Sequence, residues 1–164
     1  MSGMRALRAA AALATVGGTL LVAPTAEAGT YALSAHVDGV AGGGNYTPTS
    51  FHWSDEREIT FSHITDASSV TLLGLAQSHQ DVGNAIIQES MQVGTTTTAV
   101  VTLQMYGVHI EAVREDGNAN NPNGPEETVV LRFHKLVYTY QPVNPTNGKP
   151  AGAAVTISIP KGPS

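Results

Sequence analysis

The residue types best suited to chemistry gather in one short stretch, "SHITDASS", at positions 62–69. It combines His63 and Asp66 with three serines, the residue types of a Ser-His-Asp hydrolase. Such a triad converges in space rather than in sequence, and the chain has no G-x-S-x-G turn to present a nucleophilic serine. The simpler interpretation is a strand end followed by a helix that Asp66 or Ser68 caps. We therefore predict no catalytic residue and no enzyme, and a small secreted hydrolase is the least favoured function.

Six histidines raise the hypothesis of a metal site. Zinc requires three or four ligands held together, but no H-E-x-x-H or H-x-H motif occurs. Because the chain contains no cysteine, thiolate zinc sites, thiol nucleophiles and disulfides are excluded. We predict no metal and no cofactor, although a site gathered from separate strands stays open at this point. Each histidine is expected to be a half-exposed strand residue: His36, His52, His63, His79, His109 and His134.

The first residues have the three-part layout of a secretory signal peptide. Arg5 and Arg8 precede an uncharged run of small and apolar residues. Ala26 and Ala28 then place small side chains three positions and one position before Gly29. The uncharged run is too short to span a membrane comfortably. This layout predicts cleavage before Gly29.

The predicted division of the chain is a signal peptide at 1–28 and one mature domain at 29–164. The mature length suits a single hydrophobic core. The full sequence carries 8 Lys and Arg against 13 Asp and Glu, a net charge of −5 at pH 7. An acidic chain of this kind is poorly suited to nucleic acid, whose phosphates require clustered Lys and Arg. We expect a secreted protein, extracellular or periplasmic, with no membrane span in the mature chain.

The mature sequence predicts an all-β domain with a minor helical part. Gly107 coincides with a change in the phase of the apolar pattern, which is typical of a β-bulge. A similar slip falls near Lys135. Glycine, proline and asparagine dominate positions 39–50 and 114–127, which are predicted to be loops. Alternating apolar residues indicate strands at 31–37, 51–53, 58–64, 85–93, 99–113, 128–140 and 153–159.

One short helix is predicted after the third or fourth strand. Its apolar residues recur at helical spacing, and His79 falls near its end, where the partial negative charge of the last carbonyls suits an imidazole. A barrel or sandwich of six or seven strands with one helix follows from this pattern. The apolar stripe of the helix consists of Val70, Leu72, Leu73, Leu75 and Ala76.

Four segments, taken in order, resemble the Hcp family, the tube proteins of type VI secretion systems. "YALSAHVDGV" fits the first strand of that family with its Asp-Gly turn. "ITFSHITDASSVTLLGLAQSH" resembles its characteristic strand and Leu-rich helix. "VTLQMYGVHIEAV" and "EETVVLRFHKLVYTYQP" are similar to its later strand pair, which ends in Y-x-P. The resemblance covers nearly the whole mature chain, and the order and spacing of the segments carry it.

The resemblance implies a small Hcp-like β-barrel with one short flanking helix. It also implies hexameric rings that stack into a hollow tube, act as a conduit and carry effectors, without a catalytic core. The glycine-rich loop falls where the family has an extended loop that contacts the next ring. The implied ring-ring interface candidates are therefore Gly42, Gly43, Gly44, Asn45 and Tyr46.

A signal peptide departs from the family pattern, because these tube proteins assemble in the cytoplasm. Either the exported chain assembles outside the cell membrane, or the fold serves another extracellular role. The main alternative to a ring-forming structural protein is a secreted monomeric binding module that recognises a glycan, a peptide or a surface partner. A contiguous apolar patch on the isolated subunit would favour assembly.

Overall fold

The computed structural model describes residues 29–55, 57–117 and 120–160. The predicted signal peptide, with Ala26 and Ala28 at its cleavage site, lies outside the described residues. The described part of the chain forms nine strands and one helix. In chain order they are β1 Thr30–Val37, β2 Asn45–Tyr46, β3 Ser50–Asp55, β4 Glu58–Ile64, α1 Ser69–Ser78, β5 Asp81–Val93, β6 Thr96–Asp116, β7 Glu126–Arg132, β8 Lys135–Tyr140 and β9 Val155–Ile159.

All strand pairs are antiparallel, in the order β2-β1-β5-β6-β7-β4-β3, and β8 pairs with both β6 and β9. The long strand β6 organises the sheet. On one side it pairs with β5 along most of its length. On the other side it pairs with β8 in its first half and with β7 in its second half. Two branches therefore leave β6 in different directions, one through β7 and the other through β8.

The branch point is a bulge at Gly107. Tyr106 and Val108 both pair with β5, and Gly107 between them stays unpaired with a φ of 60°. A Cβ at this position would lie 2.8 Å from Nδ1 of His134, so only glycine fits without a shift. The predicted bulge is confirmed. The single strand predicted at 128–140 is divided into β7 and β8, because the partner strand bends here.

The two ends of the sheet meet and close it into a barrel. Tyr46 lies on β2 at one end, and its ring centroid is 5.4 Å from that of Phe61 on β4, next to the other end. One hydrophobic core fills the interior, as the all-β prediction requires. Its fully enclosed side chains include Ile59, Phe61, Leu72, Ile87, Leu103, Met105, Ile110, Leu131 and Leu136.

Helix α1 covers one face of the barrel and packs on β6. Leu72 and Ala76 are buried, whereas Val70 is 79% exposed and Leu73 is also exposed. The predicted apolar stripe therefore faces the core only in part. At the C-terminal end, His79 adopts a left-handed conformation with a φ of 50°, which ends the helix.

Two regions predicted as loops are more regular than their composition suggests. The glycine-rich region contains β2, which pairs with Ala35 and His36 of β1. The loop predicted at 114–127 is shortened by strand residues at both ends, since β6 continues to Asp116 and β7 begins at Glu126. Both predictions were wrong at their edges, because tertiary pairing extends strands into polar sequence.

Candidate interaction surfaces

The corner between β4 and α1 is closed by a reciprocal cap. The Ser68 amide and hydroxyl donate to Oδ1 of Asp66 at 2.7 and 2.6 Å, and the Asp66 amide donates to Oγ of Ser69 at 3.1 Å. Ser68, one of the two residues predicted to cap the helix, is the N-cap of α1, although its side chain makes no capping hydrogen bond. Asp66, the other predicted residue, lies two positions earlier and holds this turn through its hydrogen bonds to Ser68 and Ser69. The Ser68 hydroxyl, assisted by the Ser68 amide and the nearby His63, holds the pKa of Asp66 below its ordinary value, against a smaller opposing effect of burial.

A buried ionisable pair lies under this cap. His63 is 2% exposed and Glu127 is 1% exposed, and Nε2 of His63 lies 2.8 Å from Oε1 of Glu127. The Ser69 hydroxyl donates to the same oxygen at 2.7 Å. Nε2 and Oε1 are close but not aligned as a hydrogen bond, and Oε2 of Glu127 has no hydrogen-bond partner within the described residues. The expectation that each histidine is a half-exposed strand residue is wrong for the buried His63, and also for His79 and His134, which are exposed and lie outside the strands.

This arrangement contains a serine, a histidine and a carboxylate, but it is not the geometry of a triad. A nucleophilic serine must donate to the imidazole, whereas the Ser69 hydroxyl donates to Glu127. All three side chains are buried, so a substrate has no access to the hydroxyl. The group ties α1 to β4 and β7 from inside. Glu127 was not among the predicted site residues, although its phase with Val129 and Leu131 on one strand places it on the inner face.

Tyr46 connects the glycine-rich loop to this corner. Its ring centroid is 4.6 Å from that of His63, and its hydroxyl is hydrogen-bonded to the Ser68 hydroxyl, with the two oxygens 3.2 Å apart. Burial is the main reason that the pKa of Tyr46 is raised, and the negative charges of Asp66 and Glu127 add to the effect, while the Ser68 hydrogen bond opposes it. Tyr46 is therefore a neutral internal support.

The predicted ring-ring interface residues divide into two groups. Gly42, Gly43 and Asn45 are exposed, whereas Gly44 and Tyr46 are buried. A Cβ on Gly44 would lie 2.1 Å from the carbonyl oxygen of Val37, so the loop turns back closely against β1. Contact of this loop with another ring stays a prediction, and the exposed residues are the ones positioned for it.

Side-chain hydrogen bonds hold the same loop in place. Nδ1 of His36 lies 2.9 Å from Oδ1 of Asn45, and Nε2 lies 3.0 Å from Oδ1 of Asp38. The other carboxylate oxygen of Asp38 accepts from the side-chain amide of Asn84 at 3.2 Å. The glycine content predicted a flexible loop. These side-chain hydrogen bonds and the short strand β2 hold the loop in a defined conformation instead.

Histidine, cysteine, aspartate and glutamate side chains do not gather in groups of three or more that could hold a metal ion, as far as the described part of the chain extends. The described residues also contain no helix long and apolar enough to cross a membrane.

The face of the sheet that points away from the core carries an uncharged polar row across five strands. Five residues are level with one another from β1 through β5, β6 and β8 to β9. The side-chain amide of Gln88 donates to Thr102 at 3.3 Å, and the hydroxyls of Thr139 and Thr156 lie 3.0 Å apart. The row consists of Ser34, Gln88, Thr102, Thr139 and Thr156.

The opposite face of the same sheet is apolar apart from Glu89 on β5, and it extends beyond the core. Ile157 is level with Tyr138 on β8, and Val155 with Tyr140. Val155 is 59% exposed and Ile157 is 51% exposed, and Tyr140 is also exposed. These three residues form what we call the apolar ribbon. β9 pairs with β8 on one edge and with none of the described strands on the other.

A groove lies at the other edge of this sheet, beside β1. β2 covers only Ala35 and His36, so residues 30–34 of β1 have β5 on one side and no described strand on the other. The groove has a volume of about 630 Å³. Its lining includes Tyr31, Leu33, Phe51 and Glu89.

Neither a protein-family model nor a curated protein matches the sequence. Solved structures do match the fold. Hcp1 from Salmonella typhimurium is 17% identical with a TM-score of 0.64, covering 78% of this chain and 92% of that one. A type VI secretion system effector from Yersinia pestis is 15% identical with a TM-score of 0.61, covering 78% of this chain and 98% of that one. The secreted protein Hcp3 from Pseudomonas aeruginosa is 11% identical with a TM-score of 0.57, covering 78% and 97%. The chain therefore has the Hcp-like β-barrel fold, as its sequence segments had indicated.

Proposed function

We propose that the mature chain is a non-enzymatic structural protein that assembles into homo-hexameric rings, which stack into a hollow tube and carry effectors. The observation that carries this proposal is the apolar ribbon of Tyr140, Val155 and Ile157, which the subunit leaves exposed. A contiguous apolar surface on an isolated subunit is favourable to bury against a partner. The Hcp-like fold supports a second copy of the chain as that partner.

The polar row supports a channel rather than a ligand site. Ser, Thr and Gln side chains keep a surface hydrated without charge, so such a face does not select a passenger by its charge. In a ring we place the row that runs from Ser34 to Thr156 toward the lumen, because the other face of this sheet packs on the core.

The chemical groups of the corner support the non-enzymatic part of the proposal. The corner where Ser69, His63 and Glu127 come together is buried, and the Ser69 hydroxyl donates to Glu127 and not, as a nucleophile would, to the histidine. We assign that group to stability instead of catalysis.

The test is the solution mass of residues 29–164, measured by light scattering coupled to gel filtration. We expect a mass of six subunits, and electron microscopy of the same sample should show rings or stacked rings. A monomer at high concentration would overturn the assembly proposal. In that case a secreted binding module would be the better function, with the groove beside β1 as its binding surface.

Export forms a separate part of the proposal. The intact mass of the protein recovered outside the inner membrane should correspond to a chain that begins at Gly29. A chain that retains residues 1–28 and stays in the cytoplasm would contradict the signal peptide, and the tube would then assemble in the cytoplasm.

A further inference from the structure

One carboxylate interrupts the apolar face of the sheet. Glu89 on β5 is level with Leu33 on β1 and with Val101 on β6. Its neighbours on the same face of β5, Ile87 and Met91, are both buried. An ionised carboxylate among apolar side chains is unfavourable unless a cation or a hydrogen-bond donor pairs with it. The surroundings of Glu89 therefore favour a partner of positive charge.

The described part of the chain supplies no such partner. Glu89 is half-buried and makes no hydrogen bond or ion pair with the described residues. It lines the groove beside β1, and that lining contains no lysine, arginine or histidine. The carboxylate is thus open to a positively charged group that enters the groove from outside.

Aromatic rings line the same groove. Tyr31 is 62% exposed and Phe51 is half-buried. The faces of aromatic rings attract organic cations, and a carboxylate forms strong hydrogen bonds with an ammonium or guanidinium group. A metal ion requires several ligands, whereas this lining offers a single carboxylate and no histidine. The groove is therefore better suited to an organic cation than to a metal ion.

The uncovered edge of β1 suits a polypeptide as the carrier of that cation. Residues 30–34 have β5 on one side and no described strand on the other, so unpaired amides and carbonyls run along the groove. An extended segment can bond to such groups while its side chains enter adjacent pockets. The groove volume of about 630 Å³ exceeds the space that one small cation fills. A small cation would also leave the backbone groups of β1 unused.

We infer that the groove beside β1 binds an extended segment of another protein and takes a lysine or arginine side chain of that segment onto Glu89. The rings of Tyr31 and Phe51 pack against the same side chain. The groove is formed within one subunit, so the inference does not depend on the proposed ring. It adds a partner of defined chemistry to the structural role.

The test is the binding of short labelled peptides to residues 29–164, followed by fluorescence anisotropy. The first peptide alternates serine and valine around one central arginine, and two matched peptides carry glutamine or glutamate at that position. We expect the arginine peptide to bind about tenfold more tightly than the glutamine peptide, because its guanidinium group pairs with a charged acceptor. High salt should reduce this difference, since it screens the charges.

Substitutions at Glu89 connect the preference to this site. Glu89→Gln keeps the size of the side chain and removes its charge, so the preference for arginine should disappear. Glu115→Gln, at an exposed carboxylate on β6, is the matched control and should keep the preference. Glu89→Lys should reverse it, so that the glutamate peptide binds most tightly. A misfolded variant could not produce that gain of binding.

The outcomes separate this inference from the ring. Equal binding of the arginine and glutamine peptides, or no binding of either, would overturn it. Free arginine that competes as well as the arginine peptide would overturn a polypeptide as the partner. Light scattering of the same samples gives the mass of the protein. A monomer that binds the arginine peptide through Glu89 would overturn the ring and support this inference, whereas a hexamer that binds no peptide would do the reverse.

Discussion

The corner under α1 buries ionisable side chains, whereas the apolar ribbon leaves apolar side chains exposed. The corner encloses His63 and Glu127, which are side chains that water usually surrounds, and supplies Ser69 and the Tyr46 ring as neighbours. The ribbon leaves Val155 and Ile157 in water, although they are among the side chains that gain most from burial. The corner is complete within one subunit, whereas the ribbon gains full burial only from another molecule.

This contrast separates the residues that hold the fold from those available for assembly. Disruption of the corner should unfold the subunit. Substitutions in the ribbon should leave the subunit folded and change only what it binds.

Glu127→Ala should destabilise the fold most, because it leaves the His63 ring and the Ser69 hydroxyl buried without their partner. Loss of one member of a buried pair costs about 3–5 kcal/mol. Urea unfolding followed by circular dichroism measures the free energy of unfolding. Glu115→Ala, an exposed carboxylate on the neighbouring strand, is the control and should change it by less than about 0.5 kcal/mol. Equal effects of the two substitutions would contradict the structural role of the corner.

Leu136→Ala and Ile157→Ala compare the two ends of one apolar face. Leu136 is fully buried on β8, and its truncation should cost about 3 kcal/mol in unfolding free energy. Ile157 lies on the same face of the adjacent strand but is half exposed, so its truncation should cost well under about 1 kcal/mol in the monomer. Thermal and urea unfolding at low protein concentration measure both. A large loss for Ile157→Ala would mean that the ribbon belongs to the core.

Gly107→Ala and Gly74→Ala should act in opposite directions. At Gly107 the backbone is left-handed and a Cβ would lie 2.8 Å from Nδ1 of His134, so alanine should cost about 1–3 kcal/mol. At Gly74 in α1 a Cβ would meet no atom within 4 Å, and alanine should stabilise the helix by about 0.5–1 kcal/mol. Midpoints of urea unfolding report the sign. The same sign for both would contradict the bulge at the branch point of the sheet.

The pH dependence of stability should contain a contribution from Asp66. Its pKa is lower in the folded chain than in the unfolded chain, so the unfolded chain takes up the proton more readily. The contribution is therefore complete above the ordinary pKa of 3.8 and is lost as the pH falls through the folded value. Asp66→Asn keeps an oxygen acceptor for the cap without an ionisable group. Between pH 5 and pH 2, a range that brackets the ordinary carboxyl pKa of about 3.9, this variant should lose less free energy of unfolding than the native chain. Parallel curves of the free energy of unfolding against pH would contradict this assignment.

Local patterns predicted most of the strands because apolar and polar residues alternate wherever only one face of a strand is buried. β4 was predicted with its observed bounds, and the phase change at Gly107 indicated the bulge before any partner strand was known. The division of 128–140 into two strands was visible only as a slip near Lys135. The strand divides because its partner β6 bends, and β6 lies in a different part of the sequence.

The buried pair shows why the burial of a residue cannot be predicted from its type alone. His63 was expected to be half exposed because histidine side chains usually are. Glu127, next to Glu126, was not predicted to be buried. Each is buried because the other lies opposite it on a paired strand: His63 pairs with Glu127 across β4 and β7. A pairing between distant strands supplies the partner that makes burial of both groups tolerable.

Residue types at short spacing were enough to predict the fold class, the strand periodicity, a helix start at Asp66 or Ser68, and the exclusion of cysteine chemistry. The tertiary structure alone decided which polar groups are enclosed and which apolar ones remain exposed. It also decided that β1 and β9 form the two open edges of one sheet. These features depend on which strands become neighbours, and that is determined by closure of the barrel around a shared core instead of by any local pattern.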